Sequence, residues 1–463
     1  MVRLNSTLHR AVVTFEPRDE GKVAMYVCGP TVQSEPHIGH GRSAVAFDVI
    51  RRYLVWRGYE VTYVRNITDI EDKIIAAAAE SGESVEVLAQ RMTARFAAGY
   101  AALGVLAPDL EPKATEHVPE IIRTIETLID RGLAYQSHGD VYFSVRAFDG
   151  YGKLSGRNLD DLRSGYRIEV DEAKNDPLDF ALWKGAKPGE PWWDSPWGAG
   201  RPGWHIECSA MATKYLGDDF DIHGGGSDLI FPHHENEIAQ SEGATGHTFS
   251  RYWLHNGMVN LGGEKMAKST GLLVSLAAIT EARGGRPLRL LFLRAHYRSP
   301  IEYSEELLDE AEDALDRLNR FRGRVTPGEP DPTALERFTE VMDDDFGTPQ
   351  AVSLLFDLVR DGNRLLDEGE DAAAVAGAVE TIVGVLGLDD ASAPDRADLD
   401  LTELSKRFGV EASGEDMIRG LIELRNQARH DRRYADADAI REGLEQVGVI
   451  LEDGADGTRW IRK

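Results

Sequence analysis

The sequence has few cysteines, few lysines and no long apolar run. Only two of its 463 residues are cysteine, Cys28 and Cys208, which excludes a small secreted scaffold held together by several disulfides. No stretch reaches the about 18 apolar residues that a membrane-spanning helix requires. The N-terminal segment MVRLNSTLHRAVVTF lacks the apolar centre of a signal peptide. These absences predict a cytoplasmic protein whose two thiols are buried or bind a metal.

Basic charge is also scarce. The chain has 79 acidic and 52 basic residues, for a net charge of −27, and only 12 of the basic residues are lysine. A surface of this sign repels polyanions, which excludes non-specific nucleic-acid binding and leaves only local RNA contacts. An acidic, lysine-poor surface is typical of proteins that stay soluble in high salt, but GC-rich codon usage would favour arginine in the same way.

Apolar and charged residues are present in ordinary proportions, 42% and 28%, as in a soluble globular protein of about two to four domains. Lys22 to Val27 reads as a strand, Ser43 to Trp56 as an amphipathic helix, and residues 60–64 as a second strand. This order predicts an α/β fold with a Rossmann-like parallel sheet, which binds its ligands beyond the strand ends.

The predicted sheet domain covers residues 1–302 and carries an insertion at about 110–200. In and after the insertion, the pattern predicts a helix at 118–131, a hairpin around 135–145, a loop-rich stretch, a strand at 220–222 and a glycine turn at 224–226.

The C-terminal part has a different character. Residues 255–302 contain a glycine-rich loop with two lysines, and amphipathic helices then predict a helical bundle over 303–388. A segment rich in Asp, Ala, Ser and Pro at 389–400 reads as a linker to a small module at 402–463.

Two segments suit phosphate chemistry. His37, Gly39 and His40 stand at the predicted opening of a helix, where backbone N–H groups and the helix dipole favour phosphate. Lys265 and Lys268 stand in the glycine-rich loop and supply mobile cations for a leaving pyrophosphate. Taken separately, the first segment also suits a histidine-capped helix and the second a solvated surface loop.

A third group suits a metal. His233 and Glu237 are spaced i, i+4 on a helix predicted to open near Pro232, so one metal can bind both. With Cys28 and Cys208 they would complete a tetrahedral zinc site. The spacing alone equally allows each cysteine to be a buried structural residue.

Taken together, these motifs resemble known enzymes. His37 to His40 and Lys265 to Ser269 resemble the two signatures of class I aminoacyl-tRNA synthetases, with Ala267 where the second signature usually has serine. Four further segments make nearly the whole chain similar to the cysteinyl-tRNA synthetase family: Cys28 to Thr31, Asn66 to Ile70, Gly203 to Cys208 and Phe231 to Glu237.

The resemblance implies a function. The enzyme would activate L-cysteine with ATP and Mg²⁺ to cysteinyl-adenylate and transfer it to the 3′ end of tRNA(Cys), working as a monomer with one Zn²⁺ per chain. The implied zinc ligands are Cys28, Cys208, His233 and Glu237. The implied catalytic residues are His37, His40, Lys265 and Lys268, of which His37, His40 and Lys268, with Gly39, would bind ATP. The implied substrate contacts are Thr68, Trp204 and Asp228.

The terminal module resembles the family's anticodon-binding module. Arg429, Arg433 and Trp460 are its candidate tRNA contacts, because arginine and aromatic side chains bind single-stranded loops. Salt bridges with nearby aspartates, such as Asp431 and Asp436, are the alternative interpretation of these arginines.

Two other functions fit part of the pattern. One is a related ligase that joins cysteine to an amino sugar in mycothiol synthesis, but that family ends without the module at 402–463. The other is a catalytically inactive relative that binds RNA or amino acid, but both signatures and all four candidate zinc ligands are intact.

Lys268 tests the interpretation of the glycine-rich loop. We expect Lys268→Ala to lower kcat for cysteine-dependent ATP–pyrophosphate exchange far more than it raises KM for cysteine, because the ammonium matters most as pyrophosphate leaves. Ala267→Ser is the matched control and should change the rate only modestly. Exchange kinetics unaltered by Lys268→Ala would contradict this role.

Overall fold

The computed structural model describes most of the chain. The described residues are 1–159, 173–262, 264–265, 273–389, 401–410, 414–446, 449–454 and 457–462. The predicted linker therefore lies outside them, except for Asp389. Within the described ranges, no helix is both long enough and apolar enough to cross a membrane.

The chain forms two compact units. The first consists of Met1–Leu308, Phe338–Val352 and Val385–Gly387, and the second of Asp309–Arg337, Ser353–Gly384 and Leu388–Lys463. The predicted domain boundaries at 302 and 402 remain predictions.

The strands up to residue 303 are β1 (Arg3–Ser6), β2 (Ala11–Thr14), β3 (Lys22–Val27), β4 (Glu60–Arg65), β5 (Ala134–Ser137), β6 (Asp140–Phe143), β7 (Phe180–Gly185), β8 (Gly200–Pro202), β9 (Phe220–Gly226), β10 (Ser250–Asn256), β11 (Val259–Leu261), β12 (Glu264–Lys265) and β13 (Ile301–Tyr303). The helices of the same region are α1 (Ile38–Trp56), α2 (Asp72–Ser81), α3 (Val85–Ala102), α4 (Val118–Asp130), α5 (Trp204–Leu216), α6 (Glu235–Thr245), α7 (Leu276–Arg283) and α8 (Gly285–Leu293). Short helical turns stand at Ala114–His117, Val145–Ala147, Ser227–Leu229 and Ile230–His234.

A parallel sheet lies at the centre of the first unit, which confirms the predicted fold class. Its four strands follow the order β10-β9-β3-β4, and every neighbouring pair is parallel. The central strands carry buried apolar side chains at successive positions, such as Met25, Tyr26 and Val27 on β3, as expected for a sheet covered on both faces.

The predicted turn at Gly224 to Gly226 is wrong, because these residues continue β9 and pair with β10 as far as Asn256. The glycines serve close packing instead of a turn. A Cβ atom on Gly224 would lie 2.2 Å from the ring of Phe47 on α1, so this strand can approach the helix only without a side chain.

Helix α1 begins at Ile38 and not at the predicted Ser43. The ring of His37 caps it by accepting a hydrogen bond from the backbone N–H of Gly39, 3.1 Å away. Gly41 is tolerated inside the helix because Leu103 packs where its side chain would be. The first signature therefore forms the first turn of the helix.

The insertion contains more strand than the sequence predicted. Strands β5 to β8 form a four-stranded antiparallel sheet in chain order, and its core includes Phe143, Leu182 and Trp183. The stretch predicted to be loop-rich thus contains β7 and β8. Strand β8 is only three residues long and consists of Gly-Arg-Pro, a composition typical of loops. The N-terminal ribbon of β1 and β2 was also not predicted.

The C-terminal part is mainly helical, as predicted. The helices are α9 (Glu305–Arg324), α10 (Pro332–Asp343), α11 (Thr348–Asp367), α12 (Ala373–Leu386), α13 (Thr402–Phe408), α14 (Gly414–His430) and α15 (Tyr434–Gln446). The chain then forms an antiparallel hairpin of β14 (Val449–Gly454) and β15 (Gly457–Arg462). Leu421, Ile440 and Leu444 are among the residues that form the core of this terminal part.

A buried ion pair joins α1 to α8. The guanidinium of Arg289 is fully buried and donates to Asp48 Oδ2 at 2.5 Å, to the carbonyl of Leu103 at 3.1 Å and to that of Leu386 at 2.8 Å. Arg52 donates to the same Asp48 oxygen at 2.8 Å. One carboxylate therefore forms ion pairs with two guanidinium groups inside the first unit.

We expect Asp48→Ala to lower the free energy of unfolding by about 3–5 kcal/mol, because it removes the carboxylate that forms an ion pair with the buried guanidinium of Arg289. The control is Arg3→Ala, which breaks an ion pair with Asp344 whose side chains are 55% and 61% exposed and should cost less than about 1 kcal/mol. Urea denaturation measures both. Equal losses for the two variants would contradict the role of the buried pair.

Candidate metal centre and active site

The four candidate metal ligands converge although they are distant in sequence. Cys28 follows β3, Cys208 lies on α5, His233 lies in the turn Ile230–His234, and Glu237 lies on α6. Cys28 Sγ is 3.6 Å from Cys208 Sγ, 3.4 Å from His233 Nε2 and 3.3 Å from Glu237 Oε1. All four ligating atoms lie within 4.8 Å of one another.

Burial and mutual charge determine the protonation of this cluster. Burial opposes charge on Glu237, but His223 and His233 outweigh it and hold the pKa of the carboxyl well below its usual range. Burial also opposes charge on His233, yet Glu237 and Cys208 raise the pKa of its imidazole to about 10. Burial raises the pKa of the Cys208 thiol, but Cys28 and His233 outweigh burial and lower this pKa to about 6. Burial raises the pKa of the Cys28 thiol, and the neighbouring Cys208 and Glu237 raise it further.

This donor set fits a zinc ion. Two thiols, an imidazole and a carboxylate match the ligand types and number of tetrahedral zinc sites. A divalent cation would replace the protons that Cys28 and His233 hold in its absence, so metal binding would release protons. A second overlapping set joins Cys28 and Glu237 with His223 and His234. The part of the chain that the structure describes therefore offers a buried metal site.

Histidines surround the candidate ligands. His205 Nδ1 lies 2.9 Å from His233 Nδ1, and His223 Nε2 lies 2.8 Å from Glu237 Oε2. His234 Nδ1 lies 2.8 Å from His255 Nε2. Such contacts orient metal ligands in known sites. Sequence reasoning missed His223 and His255, and the only available signal was their place on strands that lead toward the ligand-binding edge of a parallel sheet.

Two of the candidate substrate residues, Trp204 and Thr68, lie beside this cluster, and the third, Asp228, lies in the turn Ser227–Leu229. The indole of Trp204 stacks on His233, with ring centres 4.2 Å apart and planes 26° apart. Thr68 is buried, and its hydroxyl accepts from Asn66 Nδ2 at 3.3 Å. Asn66 Oδ1 accepts from the backbone N–H of Gly29 at 2.9 Å, which ties the segment after β4 to the residue beside Cys28. Sequence reasoning assigned Asn66 no role.

His37 and His40 stack at the start of α1 with ring centres 3.7 Å apart. Burial lowers the pKa of His40 to about 3, with a further contribution from His37. Burial also lowers the pKa of His37, while the carboxylate of Asp228 acts in the opposite direction. Both rings are therefore neutral at pH 7, and the helix N-terminus supplies the positive end of a dipole beside them.

The lysine-bearing loop ends close to this helix start. Lys265 belongs to β12, which pairs with β11, and Lys268 lies outside the described residues. After the loop, the backbone N–H of Ile38 donates to the carbonyl of Val274 at 3.1 Å. Ser275 forms a β-bridge with His37. The chain that leaves the second signature thus lies against the first.

The candidate tRNA contacts lie in the terminal module. Arg433 forms ion pairs with Asp431 at 3.4 Å and with Asp436 at 2.8 Å, which is the salt-bridged alternative that the sequence allowed. Arg429 stands near the end of α14, and Trp460 pairs with Leu451 across the terminal hairpin. The contact of these three residues with tRNA stays a prediction.

Comparisons with known proteins agree with the motifs. The family described as "tRNA synthetases class I (C) catalytic domain" matches residues 14–313, and the "DALR domain" family matches residues 337–388, inside the predicted helical bundle. The chain is 51% identical over 465 residues to the "Cysteine--tRNA ligase" of Pseudomonas fluorescens (strain SBW25), and 50% identical over 464 residues to that of Chromohalobacter salexigens. Each alignment covers 99% of this chain and 99% of the relative.

Solved structures support the fold. The chain matches the Mycobacterium tuberculosis methionyl-tRNA synthetase in complex with methionyl-adenylate with a TM-score of 0.58. The match covers 79% of this chain and 90% of that chain at 17% sequence identity. At this identity the likeness bears on the fold alone.

We expect His233→Ala to weaken metal binding by more than the roughly 10–100-fold that loss of an outer-shell partner produces. His223→Ala, which removes such a partner of Glu237, should fall within that range, and His247→Ala, at an exposed position, should have no effect. Competition with a chromogenic chelator measures all three. Equal metal affinities for His233→Ala and His247→Ala would remove His233 from the site.

Proposed function

Since the chain belongs to the cysteine–tRNA ligase family, we propose that its buried metal site holds one zinc ion that selects the thiol of cysteine. As a class I aminoacyl-tRNA synthetase, the enzyme joins cysteine to tRNA. The proposed zinc ligands are Cys28, Cys208, His233 and Glu237. The observation that supports this assignment most directly is the convergence of their four donor atoms within 4.8 Å.

Selection of cysteine requires a distinction between sulfur and oxygen, because cysteine and serine differ by that one atom. A pocket that discriminates by shape alone separates such substrates by about 1–3 kcal/mol, or roughly 10–200-fold. A bound zinc ion would supply a soft Lewis acid that prefers a thiolate to a hydroxyl. We therefore propose that the enzyme rejects serine at the binding step and needs no editing domain.

We propose that Trp204, Thr68 and Asp228 contact the substrate. Trp204 stacks on the proposed ligand His233 and would form a wall of a small pocket. Thr68 is held by Asn66, whose side chain also binds the backbone beside Cys28. These contacts support a pocket beside the proposed zinc ligands.

Adenylate formation needs positioning and charge stabilisation, and no enzyme nucleophile. The cysteine carboxylate attacks the α-phosphate of ATP, and pyrophosphate leaves. We propose that Gly39 lets the backbone approach the nucleotide and that neutral His37 and His40 bind the phosphates through ring N–H groups. Lys268, with Lys265, would balance the charge on the departing pyrophosphate. The attachment of the loop's end to His37 supports this arrangement.

We further propose that Mg²⁺ accompanies ATP and that the enzyme acts in the cytoplasm as a monomer. Arg429, Arg433 and Trp460 would contact the anticodon region of tRNA(Cys) from the terminal module. The fit of the chain to full-length relatives favours this function over the amino-sugar ligase that the sequence left open.

Cobalt in place of zinc tests the selection step. We expect cysteine to increase a sulfur-to-metal charge-transfer band of the cobalt enzyme, because its thiolate would reach the metal, and serine to leave the band unchanged. The control is Cys208→Ser, which should lose both the band and cysteine activation. The charging of purified tRNA(Cys) is measured alongside.

If the addition of cysteine leaves the cobalt spectrum unchanged, the metal is structural. The same conclusion would follow from a metal-free preparation that still prefers cysteine to serine by several orders of magnitude. Loss of charging with intact pyrophosphate exchange would instead locate the fault in tRNA binding.

A further inference from the structure

Two consecutive residues at the start of α2 reach the segment that leads into Trp204. Asp72 forms ion pairs with Arg201 and Lys184. Lys73 places its ammonium 5.7 Å from the centre of the Trp204 ring, within the range of a cation–π contact. Arg201 and Trp204 are only three positions apart in the sequence, so both contacts act on one short stretch.

The ion pair fixes this stretch firmly. Arg201 lies on β8 with its side chain only 2% exposed, and its Nε also donates to Glu190 Oε2 at 3.2 Å. Burial acts to raise the pKa of Asp72, but Lys184 and Arg201 lower it to about 2. Asp72 is therefore ionised at neutral pH, and breaking the contact would leave a buried guanidinium with a single carboxylate.

Lys73 contacts an aromatic ring, although an exposed lysine near carboxylates would ordinarily form an ion pair. The side chain is exposed, and two carboxylates, Glu71 and Asp72, precede it in the chain. No described carboxylate lies within ion-pair distance of its ammonium; its charge contact is the indole of Trp204. That indole is only half-buried and contacts the rings of His233 and His205. Among the described residues, none forms a hydrogen bond with it, so ring contacts and the ammonium of Lys73 determine its position.

We propose that Lys73 is a positioning residue for cysteine binding, because it holds the Trp204 indole over His233 while Asp72 fixes the preceding strand through Arg201. The inference rests on the proposed role of Trp204 as a wall of the cysteine pocket. When Lys73 holds the indole, the pocket is already formed before cysteine binds. Without this contact, the indole must be ordered during binding, which costs binding free energy. The effect should therefore fall on KM for cysteine more than on kcat.

Cysteine-dependent ATP–pyrophosphate exchange by the full-length zinc enzyme provides the test. Lys73→Met keeps the apolar chain and removes the charge, and we expect it to raise KM for cysteine roughly two- to fivefold with kcat unchanged. Lys73→Arg should retain the wild-type KM, because a guanidinium makes the same kind of contact. Lys174→Met is the matched control, since Lys174 lies 5.7 Å from the Tyr142 ring in the insertion, and should change neither constant.

A double-mutant cycle separates positioning from direct substrate contact. We expect Lys73→Met to have no further effect on KM once Trp204→Ala is present, because the two changes remove one interaction. The same KM increase in both backgrounds would mean that Lys73 binds the substrate itself, and the proposal would be overturned. If Trp204→Ala raises KM and Lys73→Met does not, the assignment of Trp204 to the pocket is supported and the positioning role of Lys73 is contradicted. If Trp204→Ala leaves KM unchanged, the pocket assignment fails and the positioning role fails with it.

Spectroscopy reports on the indole without turnover. In protein labelled with 5-fluorotryptophan, the ¹⁹F resonance of Trp204, assigned through Trp204→Phe, should shift in Lys73→Met in the absence of substrate. It should keep its wild-type position in Lys73→Arg and in Lys174→Met. A resonance that is the same in all these proteins would overturn the proposal.

Discussion

The charge of Glu237 constrains the whole first unit. Its carboxylate is fully buried, and a buried charge persists only where opposite charge or hydrogen bonds compensate it. His223 and His233 supply that compensation at 2.8 Å and 3.0 Å. His223 comes from β9 and His233 from the turn before α6, so the central sheet and the following helix must meet at this one carboxylate.

The thiols follow from the same constraint. Strand β3 pairs with β9, which carries Cys28 to the side of the sheet where His223 meets Glu237. Helix α5 then brings Cys208 within 3.6 Å of Cys28. A metal site built in this way is stabilised by the fold around it and stabilises that fold in turn, because binding a cation in the native state shifts the folding equilibrium.

Two kinds of contact attach the elements around the proposed cysteine pocket. On the side of α1, backbone contacts attach Ile38 and His37 to residues 274–275, so the end of the loop with the lysines lies against the start of this helix. On the side of α2, Asp72 and Lys73 reach Arg201 and Trp204 through charge. Of these two contacts, the ion pair of Asp72 with the buried Arg201 is the stronger, and the cation–π contact of Lys73 with Trp204 is the weaker.

The sequence by itself determined the central βαβ elements and the motifs of the family. Alternation and helical periodicity located β3, α1 and β4, because these patterns depend on neighbours a few positions apart. The two signatures and the four cysteine, histidine and glutamate positions were recognisable as motifs. Only the tertiary structure decided that Cys28 and Cys208, 180 positions apart, lie side by side. It also decided that Gly224 continues a strand, that β7 and β8 complete a sheet in the insertion, and that His223 lies against Glu237 and Lys73 against Trp204. These facts depend on the order of strands in a sheet and on which faces pack together, and no local pattern in the sequence encodes either of them.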